Sequence, residues 1–384
     1  MTRHEQSINE WIFPLCPSPS DAICDWVHLT ERFPWLKSLQ KVPQDPIYHA
    51  EGDVYTHTTM VVQELIQLAE WKQLSNTERS VMFIAALLHD VAKPTCTQID
   101  EKGRITSPGH AKRGAKLARQ ILWELPMMPP LTIRESIVSL VRFHGLPLWF
   151  LEKESPDKAV YEASLQIRLD LVALLAEADI RGRICHDQVE LLERIQLFRE
   201  YCQEQGCYDQ PRTFPCKYSR FRYFQGWQDN PLYSPYVKPS FEVILMVGLP
   251  GSGKDTWIKK NLPDWPIVSL DEIRKQHRIH PEDSQGKVIQ LAKEQAKEWL
   301  RQKRSFVWNA TNLTQFIRKP LIQLFASYQA RVRIVYVDIP PQVALDRNRK
   351  RTEYVPEKVI LKLASKLEVP EHSEAHQVDW ISHA

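Results

Sequence analysis

The sequence predicts a multidomain chain of mixed class, an all-helical N-terminal half followed by an α/β C-terminal half with a parallel sheet. Three observations predict it. The length, 384 residues, exceeds one ordinary domain. From about residue 54 to 202, apolar residues recur three or four apart, the helical period. From residue 241, short apolar runs alternate with helical segments, the rhythm of βαβ units.

Residues 1–50 mix aromatics, prolines and short helical pieces, and read as an extension packed on the helical domain of residues 51–202. Within that domain helices are expected at Val54–Glu70, Thr77–Ala92, His110–Leu125, Thr132–His144 and Tyr161–Gly182, and from Asp187 to about Cys202. Thr132-x-x-Glu135 reads as a capping box and Gly145 as a stop after His144. Residues 203–240 hold Pro211, Pro215, Pro231, Pro235 and Pro239 among many aromatics, and read as a connector. Over residues 241–384, buried strands are expected at Phe241–Val247, Ile267–Leu270, Ser305–Trp308 and Arg331–Val337.

Composition narrows the class. The longest apolar runs, such as Val81–Leu88, fall short of the ~18 residues that cross a bilayer, and MTRHEQSINEWIF lacks an apolar signal core. A soluble, cytoplasmic protein with no membrane partner is expected. A net charge of +3, from 50 basic and 47 acidic residues, does not by itself announce a nucleic-acid binder. Seven cysteines without a C-x-x-C pair argue against a disulfide framework and a thiolate zinc site.

The strand at Phe241–Val247 runs into Gly248-Leu-Pro-Gly251-Ser252-Gly253-Lys254-Asp255-Thr256 and then a helix. This is nearly the phosphate-binding loop G-x-x-x-x-G-K-[ST], in the context that motif requires. Its glycines let backbone N–H groups face a phosphate chain, Lys254 supplies a cation, and the helix N-terminus adds its dipole. Asp255 stands where a Ser or Thr hydroxyl usually reaches magnesium, and the strand ending at Asn309 lacks the Asp often found there. Asp255 reads either as a carboxylate relocated to serve magnesium or as a helix cap. Asp271, at the end of the second strand, is placed to orient an acceptor hydroxyl and take its proton. Arg274 lies one helical turn away and suits an acceptor phosphate. Arg347 and Arg351, four apart after the fourth strand, suit a lid over the transferred phosphoryl group.

Residues 241–384 resemble the P-loop 5′-hydroxyl polynucleotide kinases, on GLPGSGKDT, SLDEIR, NATN and RNRKR. The resemblance implies ATP or another NTP with magnesium as cofactor and Asp271 as general base. It also implies Arg274 as ligand of the acceptor's 3′-side phosphate, and Arg347 and Arg351 on the donor phosphates. Asn312 and Arg318 match less specific positions.

The helical half holds a second constellation: His57, His89-Asp90, His110, His144 and Asp179, each near a predicted helix end. Helix ends converge on one cavity in helical folds, and imidazoles with carboxylates suit divalent transition metals. The chain has 13 histidines, and His186-Asp187 reads as a decoy on a solvated helix. Residues 51–183 resemble the HD phosphohydrolase superfamily. They are close to the HD modules of bacterial tRNA nucleotidyltransferases, through EGDVYTHTTMVV, AALLHDVAKP, GRITSPGHAKRGA, LVRFHGLP and LLAEADIRGR. The resemblance implies one metal on His57, His89, Asp90 and Asp179, and a second on Asp90, His110 and His144. Lys93 and Arg113 would be phosphate contacts, helped by Arg181 and Arg183.

An HD domain followed by a P-loop kinase resembles the bacterial HD-Pnk family of bifunctional nucleic-acid end-healing enzymes. That resemblance implies RNA or DNA ends as substrates, a catalytic Asp90 in metal-dependent phosphate removal, and a ligase as functional partner. The stretch KYSRFRYFQGW interleaves Lys217, Arg220 and Arg222 with Tyr218, Phe221, Tyr223, Phe224 and Trp227. It reads as single-strand binding or as packing glue, and its shortness favours glue. Two other readings stand: an HD nucleotide phosphohydrolase joined to a small-molecule kinase, and an HD nucleotide sensor regulating the kinase.

Overall fold

The computed structural model describes residues 10–21, 23–236, 239–280, 285–351 and 354–382; the first nine residues of the expected N-terminal extension lie outside them. The chain divides into two compact units, Met1–Thr213 and Phe214–Ala384.

The first unit is helical: α1 (Trp26–Arg32), α2 (Pro34–Lys37), α3 (Val54–Gln67), α4 (Ala69–Gln73), α5 (Asn76–Leu88) and α6 (Lys93–Cys96), then α7 (His110–Glu124), α8 (Leu131–Phe143), α9 (Leu146–Trp149), α10 (Pro156–Ser164), α11 (Leu169–Arg181) and α12 (Gln188–Glu204). A two-residue hairpin, β1 (Gln98–Ile99) and β2 (Ile105–Thr106), precedes α7. The central helix is α5. Every residue from Ser80 to Asp90 is buried, with α3, α8 and α11 packed around it. A helix apolar on all sides has to be enclosed in this way. Phe13 is buried and lies 5.7 Å from Phe33 and 6.0 Å from Phe83, ring to ring.

Two local expectations are corrected. Thr132 and Glu135 form no capping box, because α8 starts at Leu131 behind Pro130 without a side-chain cap. Glu135 is instead buried against Arg119 at 2.7 Å and Arg134 at 2.9 Å. The true capping box is Ser75 with Glu78 at the start of α5. The expected helix Tyr161–Gly182 is two helices, α10 and α11, with a break at residues 165–168.

The second unit contains α13 (Lys217–Phe224), β3 (Glu242–Val247), α14 (Lys254–Asn261), β4 (Ile267–Ser269), α15 (Leu270–Gln276) and α16 (Gly286–Arg301). It continues with β5 (Phe306–Asn309), α17 (Gln315–Ser327), β6 (Arg331–Asp338), α18 (Pro341–Arg349), α19 (Glu357–Ser365) and β7 (Gln377–Ser382). Among the described residues β3 to β7 form one parallel sheet of five strands in the order β4-β5-β3-β6-β7. The first strand, β3, therefore sits between β5 and β6, so its C-terminal end opens at the crevice where strand order reverses. β7, an edge strand, was missed because its run VDWIS carries a charge and little alternation.

The aromatic stretch is α13, and its packing is internal to the second unit. Phe221, Tyr223 and Phe224 are buried, and the Phe221 ring stacks on His376 at 3.9 Å.

Candidate active sites

The helical cavity is built from helix ends. His89 and His144 each follow the last residue of α5 and α8. The carbonyls of a helix's last turn lack intrahelical donors. Each imidazole supplies one: His89 Nδ1 lies 2.7 Å from Ala86 O, and His144 Nδ1 lies 2.9 Å from Val141 O. At the start of α7, His110 Nδ1 lies 2.8 Å from Ser107 O. A carbonyl only accepts, so each Nδ1 carries the proton and each Nε2 turns a lone pair inward.

Those lone pairs meet carboxylates. Asp90 Oδ2 lies 3.2 Å from His89 Nε2 and 3.8 Å from His57 Nε2, while Asp90 Oδ1 lies 3.5 Å from His110 Nε2. His110 Nε2 and His144 Nε2 are 3.3 Å apart. Asp179 Oδ1 lies 3.0 Å from His57 Nε2. The close approach of α11 to α3 makes this contact: a Cβ at Gly182 would stand 2.6 Å from the Val61 backbone nitrogen. Two ligand groups thus share Asp90: His57, His89 and Asp90, and Asp90, His110 and His144.

Buried His57 Nε2, His89 Nε2 and Asp90 Oδ1 have no hydrogen-bond partner, so the donors converge without being satisfied by one another. A buried polar group left so is costly, and a divalent cation relieves it. Charge is arranged to match. Burial alone would raise the Asp90 carboxyl, but Lys93, at 2.7 Å, and His89 hold it well below the usual carboxylate range. Asp179 is likewise held down, against burial, by Arg183 at 2.7 Å and by His57 and His89. Burial and the neighbouring His110 and His89 push His144 down to about 3, so it is neutral and able to ligate at ordinary pH.

The sequence reading missed Glu51. Its Oε1 lies 2.9 Å from His57 Nδ1 and 2.8 Å from His49 Nδ1, and its Oε2 accepts from Ile184 N at 2.9 Å. It fixes the His57 ring with Nε2 inward, as carboxylates do behind metal-ligating histidines. The available signal was His49-x-Glu51 just ahead of His57. The open cavity of about 590 Å³ is lined by Asp90, Lys93, His110, His144, Asp179 and Arg183, among others. Arg113 and Arg181 are not brought to it. Arg113 reaches Thr95 O at 3.5 Å, and Arg181 pairs with Glu177 at 2.7 Å. His186, expected on a solvated helix, lies exposed in the turn before α12, its ring 6.2 Å from Tyr48.

In the second unit the phosphate-binding loop joins β3 to α14. Gly248, Gly251 and Gly253 all have positive φ, and a Cβ on Gly248 would meet Ser252 Oγ at 2.6 Å and Val337 O at 2.7 Å. Lys254 Nζ donates to Gly248 O at 3.0 Å and Leu249 O at 2.9 Å. Burial pushes Lys254 down to about 8, against the pull of Asp255 and Asp271 and with the help of Arg351. Asn309 Nδ2 donates to Asp255 Oδ1 at 2.6 Å. Ser269 pairs with Asn309 in the β4–β5 register, which sets Asp271, two residues on, beside the same edge. Asp271 and Arg274 form an ion pair, and Arg274 also donates to Gln285 at 3.1 Å. Arg347 Nη1 reaches Ser252 O at 3.5 Å, so α18 lies against the loop. Thr256 is exposed in the first turn of α14.

Arg318 faces elsewhere. It is fully buried and donates to Glu374 through Nε and Nη2 at 2.7 Å each, and to Asn312 O and Glu368 O. Asn312 in turn donates to Met246 O at 2.8 Å. Both residues brace the strand ends.

The family of HD domains matches residues 54–175, and the AAA domain family matches residues 243–370. Among curated proteins, the chain is 27% identical over 178 residues to the multifunctional CCA protein of Pasteurella multocida, covering 44% of this chain and 40% of that protein. It is 32% identical over 162 residues to the multifunctional CCA protein of Thioalkalivibrio sulfidiphilus, covering 40% and 36%. It is 29% identical over 151 residues to the mouse heterogeneous nuclear ribonucleoprotein U-like protein 2, covering 34% and 20%. The chain thus spans less than half the length of these relatives. A gluconokinase from Sinorhizobium meliloti matches with TM-score 0.28 at 19% identity, over 38% of this chain and 84% of that one. The chain carries an HD domain followed by a P-loop kinase-like domain.

Proposed function

We propose that the chain is a bifunctional nucleic-acid end-healing enzyme. Its α/β unit transfers the γ-phosphoryl group of ATP or another NTP to a 5′-hydroxyl polynucleotide end. Its helical unit removes 2′,3′-cyclic, 2′- or 3′-phosphate from the opposite kind of end, leaving hydroxyls. The observation that carries this reading is a pairing on one chain: a His/Asp cluster sharing Asp90, and a P-loop carrying Lys254 and Asp255 with the Asp271–Arg274 ion pair after the next strand.

In the kinase, Lys254 and the loop amides hold the donor phosphates, and Arg347 and Arg351 neutralise the transferred group. Asp255 and Asn309 offer oxygen ligands suited to magnesium. The acceptor oxygen bonds to the γ-phosphorus, its proton passes to Asp271, and the bond to the β–γ bridging oxygen breaks. The Asp271–Arg274 ion pair joins base to acceptor clamp: an acceptor phosphate drawn to Arg274 loosens its hold on the carboxylate that takes the proton.

In the hydrolase, His57, His89, Asp90 and Asp179 would hold one divalent metal, and Asp90, His110 and His144 a second. Bound there, such ions supply Lewis-acid charge and an activated water. Lys93 and Arg183 stand in the cavity to balance charge developing on phosphate oxygens.

The test offers ATP with a 5′-hydroxyl oligonucleotide, and separately a cyclic-phosphate oligonucleotide, to wild type, Lys254→Ala and Asp90→Ala. Lys254→Ala should abolish only phosphorylation and Asp90→Ala only hydrolysis. Turnover of mononucleotides with none of oligonucleotides would overturn the reading in favour of a metabolic enzyme.

A further inference from the structure

The helical cavity is larger than its ligand cluster, and part of its lining takes no part in holding metal. We propose that four residues of this lining, Trp149, Tyr48, Arg142 and Lys153, serve as a subsite for the terminal nucleoside of a polynucleotide end and for the phosphodiester preceding it. The inference rests on the hydrolase reading above and adds to it the residues that would favour a polymer end over a free nucleotide.

The volume makes room for it. About 590 Å³ exceeds the need of a phosphate group and lies in the range of pockets that enclose nucleotide-sized ligands. This lining is joined to the chemistry through the chain, since Trp149 follows His144 by one tight turn, Gly145 and α9. Its ring is held from one side. The Arg194 guanidinium lies 4.9 Å from the ring centroid, and is itself tied to Leu148 O at 3.3 Å, Glu152 at 3.2 Å and Glu190 at 3.0 Å. The ring nevertheless keeps 41% of its surface exposed. Tyr48 is 49% exposed, in a turn closed by its backbone bond to Asp45 and with its ring 6.2 Å from His186. Aromatic rings held in place with exposed surface are what a nucleobase stacks on.

The cations divide the work. Of the four that line the cavity, Lys93 is paired with Asp90 and Arg183 with Asp179, both at 2.7 Å. Arg142 and Lys153 line the cavity and are exposed, with the Arg142 guanidinium 5.5 Å from the Phe143 ring centroid. A scissile phosphate is served by the first pair. The second pair is placed to meet another phosphate, which a polymer end brings and a nucleoside 3′-monophosphate does not.

The test compares kcat/KM for a 3′-phosphorylated oligonucleotide, a nucleoside 3′-monophosphate and p-nitrophenyl phosphate. Arg142→Ala/Lys153→Ala should lower only the oligonucleotide value and flatten its log–log salt slope by about one to one and a half. Trp149→Ala should lower both nucleotide substrates by about 5- to 100-fold, spare p-nitrophenyl phosphate, and be rescued by Trp149→Phe. Equal effects on all three substrates, or none on the nucleotides, overturn the subsite alone. A wild type that cleaves p-nitrophenyl phosphate but neither nucleotide overturns the hydrolase reading, and the subsite with it.

Discussion

Asn309, at the end of β5, donates its amide to the Asp255 carboxylate in the first turn of α14, 2.6 Å away. The usual chemistry of these two positions is exchanged: the acid sits on the loop and the neutral group on the strand. Both still reach one point, because β3 and β5 are paired neighbours in the sheet.

That exchange predicts how magnesium dependence responds. Asp255→Ala should raise the magnesium concentration needed for phosphoryl transfer by about tenfold or more, as loss of a charged oxygen ligand does. The double swap Asp255→Ser/Asn309→Asp should bring the requirement back, since it restores one acid and one hydroxyl to the same point. A magnesium titration at saturating ATP reads both variants. Superimposable curves for wild type and Asp255→Ala would leave Asp255 as a partner of Asn309 alone, since the cap of α14 is Gly253 without a side-chain bond.

Glu51 predicts a metal phenotype without being a ligand. Its carboxylate is held far below the ordinary range by His49, His57 and the Ile184 amide, despite burial, so it stays ionised and keeps His57 Nε2 inward. Glu51→Gln should weaken divalent-metal affinity by about 10- to 100-fold while leaving the fold intact. Metal content after dialysis against graded chelator measures it, with circular dichroism as the folding check. Unchanged retention would reduce Glu51 to an ion-pair partner of His49.

What the sequence made legible was whatever has a local period or a fixed spacing. The helices around α5, the strands β3 to β6 and the loop around Lys254 are of this kind. His57, His89, Asp90, His110, His144 and Asp179 were legible as a set, and the structure brings all six together. Long-range partners were not. Glu51 is chosen by a turn that returns to His57, and Arg142 and Lys153 reach the cavity only through the path of α8 and α9. Glu135 looked like a capping residue because Thr132 stands three before it, but burial beside two arginines decided its role. Arg113 has the right spacing from His110, yet its side chain turns to Thr95 and Cys96.

Arg318 predicts a stability defect in place of a catalytic one. Its guanidinium is fully buried on Glu374, and removing it strands a buried carboxylate. Arg318→Ala should cost about 3–5 kcal/mol in denaturant unfolding of the second unit. Arg318→Met/Glu374→Leu should recover much of that loss, because the stranded charge goes with its partner. Where the single variant is still folded, its KM for ATP should match wild type. A raised KM with unchanged stability would give Arg318 a role in nucleotide binding in place of a structural one.

His376 predicts a pH dependence of stability in the second unit. Val332 N–H donates to its Nδ1 at 3.0 Å, and Phe221 and Tyr218 stack on its ring. Burial, then the charge of Arg331, pushes it down from 6.5 to about 3. A histidine depressed in the folded state binds fewer protons there than in the unfolded chain. Near pH 7 both states are mostly neutral at this site and nothing is lost. As pH falls below 6.5 the unfolded state takes up the proton first, and the folded state weakens by up to about 1.4 kcal/mol per pH unit until its own pKa is reached. Protonation in place would also take the lone pair that Val332 uses, loosening α13 from the sheet. His376→Asn keeps an acceptor for Val332 and removes the titration. Its unfolding free energy should start lower, through lost stacking, and fall less steeply between pH 6.5 and 4.5 than wild type. Parallel profiles across that window would mean that His376 does not set the acid sensitivity of the second unit.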